Sequence, residues 1–132
     1  MIKKENPEQI IFDKIYKTSK GLGYNTYTYL PMDDVKYPFL TIGETQLLIK
    51  PTKSYMIGTV NITLHLYGTV QNRLQLSNMQ HDLTDAISKI KYNDNELNFI
   101  LRYKDIEHRM MQDNSTNERL YHAITYLKFD VL

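Results

Sequence analysis

Between Met56 and Tyr67 the sequence alternates without a break. Met56, Gly58, Val60, Ile62, Leu64 and Leu66 fall on one side, and Ile57, Thr59, Asn61, Thr63, His65 and Tyr67 on the other. A period of two held over this length defines a long strand with one apolar face and one mostly polar face. Burying the large side chains of the apolar face contributes on the order of 10 kcal/mol before chain entropy is set against it. That is enough to seat a core, so the rest of the chain has to cover this face.

The flanking patterns supply the cover. Asn6 can cap a helix, Pro7 fits its first position, and Gln9 stands where a capping-box partner would. Ile11, Phe12, Ile15 and Tyr16 follow at helical spacing, and Gly21 and Gly23 bracket the end. A second helix is expected from about Asn72 to Lys91, with Asn72 and Gln75 at its start. Its buried face would be Leu76, Met79, Leu83, Ala86, Ile87 and Ile90. Further strands are expected over Phe39–Ile49, Leu97–Tyr103, Ile106–Gln112 and Tyr121–Val131. In the last of these, Tyr121, Ala123, Thr125, Leu127, Phe129 and Val131 share one face. Turns are expected at Lys50–Ser54 and Asn93–Asn95, and an exposed hairpin tip at Asp113–Glu118. Between Tyr24 and Pro38 two prolines and four tyrosines predict an irregular strap, with a short strand near Thr26–Leu30. Such a strap must pack on the core or on a partner. The fold class that follows is α+β: a two-layer sandwich of a mostly antiparallel, four- to five-stranded sheet with two main helices on one face.

At 132 residues the expected organisation is one domain, 1–132. There is no cysteine, which removes disulfides and thiolate metal sites. Sixteen basic and fifteen acidic side chains nearly cancel, whereas proteins that grip nucleic acid through phosphates carry a basic excess. The basic start lacks an apolar stretch after it, so no secretory signal is expected and synthesis in the cytoplasm is. No run approaches the ~18 apolar residues of a membrane span. Eleven tyrosines suit both strands and half-buried interfaces, since the ring packs while the hydroxyl stays wet.

Catalytic patterns are sparse. His81 and Asp85 lie one helical turn apart, but two ligands do not make a metal site, so no metal and no cofactor is expected. His65 and His122 would be cross-strand neighbours on a polar or subunit-facing surface. Gly21-Leu22-Gly23 ends a helix and cannot cradle a phosphate. The expectation is a protein that is not an enzyme.

Several stretches carry a family likeness: Phe12-Asp13-Lys14-Ile15-Tyr16, Tyr29-Leu30-Pro31, Tyr37-Pro38-Phe39-Leu40-Thr41-Ile42-Gly43-Glu44, and above all Gly58 to Gly68 followed by Arg73 and Leu76-Ser77-Asn78-Met79. The chain resembles the tail terminator, or tail-to-head joining protein, of long non-contractile tailed phages of Gram-positive bacteria. The resemblance implies a virion protein of the tail or neck, forming a closed, hexameric ring that caps the tail tube and joins it to the head. Its partners would be copies of itself, the major tail-tube protein and the head connector or stopper protein. Genomic DNA would pass through the lumen without specific binding, and no membrane is involved. Ring closure needs two unlike, mutually complementary surfaces on each subunit. The candidate contacts are Lys50, Lys53, Tyr55 and Ile57 in one loop, His65 and Tyr67 on the long strand, and Arg109, Met111, Asn114, Glu118 and Arg119 around the hairpin. The alternatives are another neck component, such as a head-completion or stopper ring, and a small single-stranded nucleic-acid-binding protein stacking bases on Tyr27, Tyr29 and Tyr67.

Overall fold

The computed structural model describes residues 6–32, 34–51, 56–90, 92–93, 98–101, 105–115 and 118–131. The elements in order are α1 (Pro7–Gly21), β1 (Thr26–Tyr27), β2 (Phe39–Pro51), β3 (Met56–Thr69), a 3₁₀ turn (Val70–Asn72), α2 (Arg73–Ser88), β4 (Tyr92–Asn93), β5 (Asn98–Leu101), β6 (Glu107–Asp113) and β7 (Leu120–Val131). They form one sheet in the order β1-β2-β3-β7-β5-β4, with β6 also pairing β7. β5 meets β7 at residues 129–131 and β6 meets it at 120–126, so the two lie end to end along one edge of β7. Among the described strands, only the two-residue β1 runs parallel to its neighbour. Five strands of four or more residues, nearly all antiparallel, with two helices, make this the expected α+β sandwich.

The alternating strand is the centre of the sheet. β3 pairs β7 in unbroken register from Gly58↔Val131 to Thr69↔Leu120, and β2 on its other side. Register carries parity across the sheet, so Leu40, Val60, Ile62, Leu64, Leu66, Ala123, Leu127 and Phe129 share one dry face. Ile11 and Ile15 of α1 and Leu76, Leu83 and Ile87 of α2 close over that face, all of them essentially without solvent contact. Among the described residues no helix is long and apolar enough to cross a membrane.

Several local expectations shift. Gln9 donates its backbone N–H to Asn6 Oδ1, but its side chain turns to Asp13 (2.8 Å), so the capping box is half formed. Asn72 does not cap α2. It accepts from Thr69 N and Oγ1 and donates to Gln75, because a 3₁₀ turn precedes the helix and takes its first residue. α2 stops at Ser88 and not at Lys91, although Ile90 still packs against the core. The strand expected over Thr26–Leu30 is only Thr26–Tyr27, held by the buried Ser19–Thr26 hydroxyl pair. The expected strand Leu97–Tyr103 is Asn98–Leu101 among the described residues. Most of the turns expected at Lys50–Ser54 and Asn93–Asn95 lie outside them.

One buried polar residue joins α2 to the sheet. Gln80, 4% exposed, reaches Arg109 O, Ile124 O and Thr125 Oγ1 at 3.2–3.3 Å. His108 lies beside it, with Nδ1 3.0 Å from Thr125 Oγ1 and Nε2 3.4 Å from Thr84 Oγ1. A helical-period reading skips Gln80, because it seeks apolar residues.

Gly58 pairs with Ile49, beside the backbone of Leu48 on β2. A Cβ there would stand 2.6 Å from the backbone oxygen of Leu48, which cannot move without breaking the ladder. Gly58→Ala is therefore expected to destabilise the protein by about 1–3 kcal/mol despite the better strand propensity of alanine. Denaturant unfolding checks this.

Candidate interaction surface

Among the described residues, no helix lies over the second face of the sheet. Parity places Phe39, Thr41, Thr63, His65, Tyr67, His122, Ile124 and Tyr126 there, with Glu107, Arg109, Met111 and Asp113 continuing it on β6. Phe39, Thr41, Leu120 and Ile124 are nonetheless buried. At the Phe39 end the strap provides the cover. Tyr27 meets the Phe39 ring edge-on at 5.8 Å and Tyr37 lies against it at 5.5 Å, next to a cis Tyr37–Pro38 bond. The stack continues across the strands from Phe39 to Tyr67 (5.1 Å) and from Tyr67 to His122 (4.4 Å). Each such ring pair adds about 0.5–1.5 kcal/mol beyond its area burial.

At the end of the row sits a polar relay. His65 Nδ1 lies 2.8 Å from His122 Nε2, and His65 Nε2 lies 3.2 Å from Glu44 Oε2. Both bonds are satisfied when His65 donates from Nε2 to the carboxylate and accepts at Nδ1 from His122. Glu44 reaches this position through a bulge. The register of β2 on β3 slips between Ile42 and Thr45, setting Gly43 and Glu44 together opposite Thr63. Gly43 is required, since a Cβ would fall 2.6 Å from His65 Cδ2. Glu44 is held below the ordinary carboxylate value, first by a hydrogen bond to its own backbone and then by His65. Burial pushes the His122 imidazole down, the neighbouring His65 adds to this, and Asp113 and Glu44 pull it partly back.

Beside the aromatic row the strap and the β6–β7 hairpin enclose a cleft of about 600 Å³. Leu30, Val35, Tyr37, Phe39, Tyr67 and Leu120 give it apolar walls, and Asp34, Asp113 and Glu118 give it carboxylates. No lysine or arginine is among its described lining residues. Its field is visible on Tyr37, whose hydroxyl is raised by burial and then by Glu118, Asp34 and Asp113. Leu30 at the mouth of the cleft stands in solvent, as do Tyr29 and Met32 of the strap outside it, Met32 fully. So do Leu48 and Ile49, each about half exposed, on β2. From Ile42 onward β2 has no partner on its outer side among the described residues, and neither does β6.

The candidate contacts fall into three groups. His65 and Tyr67 lie in the aromatic row, with Met111 paired across from His122. Arg109 is exposed beside Glu107 (3.7 Å), while Asn114, Glu118 and Arg119 form the exposed hairpin end, turned by Asp113 accepting from Ser115 N. Lys53 and Tyr55 lie outside the described residues, as do the side chains of Lys50 and Ile57. His81 packs near His108, and Asp85 pairs with Lys89, so the two do not converge. The sequence reading missed Glu44, Phe39 and Asp34. The glycine before Glu44 was the available signal for a bulge.

The architecture defines an α+β sandwich with one helix-covered face and one open aromatic face. A chain of the "Virion of native gene transfer agent (GTA) particle" shares it with a TM-score of 0.59 and 9% identity, over 88% of this chain and 91% of that one. A second solved chain matches with a TM-score of 0.55 and 8% identity, over 96% of this chain and 97% of its own length. At these identities the likeness is one of fold. No protein-family model and no curated protein matches the sequence.

Protonating His122 or His108 is disfavoured in the fold, since burial lowers both and a neighbouring histidine lowers them further. The unfolded chain therefore binds more protons just below the ordinary imidazole value of about 6.5. Stability is expected to be full above that value and to fall as pH drops through it. The carboxylates Glu44 and Asp113, both held low, add a further loss only at more acid pH. Thermal melts across pH check this, with His122→Asn and His108→Asn each flattening the first step.

Proposed function

We propose that this chain is a structural virion protein that assembles into a closed hexameric ring, caps a phage tail tube, ends its polymerisation and joins it to the head connector. The observation that carries this reading is the shared fold with a chain of a gene transfer agent virion, nearly end to end in both chains. The sequence resemblance to tail terminators supports the position in the particle. The surface supports assembly. A ring needs two unlike contacts per subunit, and the sheet offers two unlike outer strands, the apolar end of β2 and the charged β6. A long exposed strand edge invites pairing, and between its bulge and the closing Lys50-Pro51, β2 leaves Thr45–Ile49 with neither lysine nor proline.

The nucleic-acid reading fares worse. Tyr67 and the rings near it are a stacking platform, but Glu44 and Asp113 act on Tyr67 and the cleft beside it holds three carboxylates. Phosphates would be repelled where the bases would stack. A lumen through which DNA passes without specific binding agrees with that field.

Deleting the gene from a phage that carries it is expected to leave DNA-filled heads without tails and tails of abnormal length, seen by negative-stain electron microscopy. Normally joined particles would overturn the reading. Heads that leak DNA, beside tails of normal length, would assign the chain to a stopper ring instead. Leu48→Lys with Ile49→Lys is expected to leave the melting transition nearly unchanged, because both side chains are half exposed. The same variant should lose ring formation on tail tubes.

A further inference from the structure

Two local patches of opposite sign stand out on this near-neutral chain. On the open side of the sheet the cleft carries Asp34, Asp113 and Glu118 around Tyr37, Phe39 and Tyr67. On the helix side, the last two turns of α1 carry Lys14, Lys17 and Lys20 and no carboxylate. Lys17 and Lys20 are exposed, and Leu22, 41% exposed, extends this basic surface with an apolar tip. The two surfaces stand on opposite faces of one sheet, so one subunit cannot bring them together. Two subunits can.

We propose that the cleft receives the C-terminal end of α1 from a second copy of this chain, with Lys17 and Lys20 against the carboxylates and Leu22 against the aromatic wall. This rests on the ring reading and adds a charged contact to the lateral seam, beside the strand edges assigned to it above. A lysine stem lies along an apolar wall while its ammonium meets carboxylates at the rim, and aromatic faces attract the same charge. The contact is heterologous, acid face to basic face, so each subunit leaves one of each for the next. That is the condition for a ring and not for a closed dimer. Leu30 at the mouth of the cleft, 60% exposed, would be covered by the same contact.

Charge exchange tests the assignment. Asp34→Lys/Glu118→Lys and Lys17→Glu/Lys20→Glu are each expected to weaken self-association by about tenfold or more, read by sedimentation velocity at matched concentrations. Mixing the two variants should restore association, because acid and base are then exchanged across the contact. Melting curves confirm that each variant folds, and Asp113 is left alone because it holds the hairpin turn. The chain has no cysteine, so Lys17→Cys/Ser115→Cys should oxidise to a ladder longer than dimers, while either single variant stops at dimers.

Assembly that ignores both charge reversals, with no ladder, would overturn this contact and leave the ring standing. A protein that stays monomeric alone and on tail tubes would overturn both. Binding of a short oligolysine peptide to the cleft of such a monomer would assign the cleft to a different basic partner.

Discussion

Everything in this fold hangs from the pairing of β3 with β7. The two strands hold one register from Gly58 to Thr69, and that register decides which side chains are dry. A slip of one residue would carry Leu64 to the open face and His65 into the core, exchanging about 1.5–3 kcal/mol of burial for an unpaired polar ring at each step. The helices have no independent claim to their positions. α1 lays its apolar stripe over β2 and β3 and α2 lays its own over β3 and β7, and Gln80 fixes α2 by reading backbone oxygens of β6 and β7.

On its other side β3 meets a less regular neighbour. β2 begins in register, bulges at Gly43 and Glu44, and then resumes with its parity restored, so Leu47 still packs on the core. The extra residue turns one carboxylate onto the open face without costing the core a side chain. Glu44, His65 and His122 then form a relay at the end of the aromatic row. The open face is thus dry at its centre, acidic in the cleft beside the aromatic row and roofed at one end by the strap. A face built this way favours cationic and apolar partners over phosphates.

Much of the architecture was legible along the chain because periodicity is a local property. The alternation of β3, the helical spacing in α1 and the shared face of β7 follow from residues that are neighbours in sequence. The errors fell where a distant contact outweighed a local preference. Asn72 has the chemistry of a cap but faces back to Thr69. The extended pattern after Thr26 ends at Tyr27, where pairing with Leu40 and Thr41 stops. The cleft was not legible at all, since Asp34, Tyr67 and Glu118 come from three separate segments.

The sequence by itself determined that this chain builds a sheet with one dry face covered by two helices, because burial of alternating apolar side chains dominates the local energetics. It also determined a near balance of charge. Only the tertiary structure decided where that charge sits, which tyrosines cover Phe39, and that Glu44 joins the cross-strand pair of His65 and His122. Those outcomes depend on strand register and on the path of the strap, and both are fixed by contacts between residues that no local pattern connects.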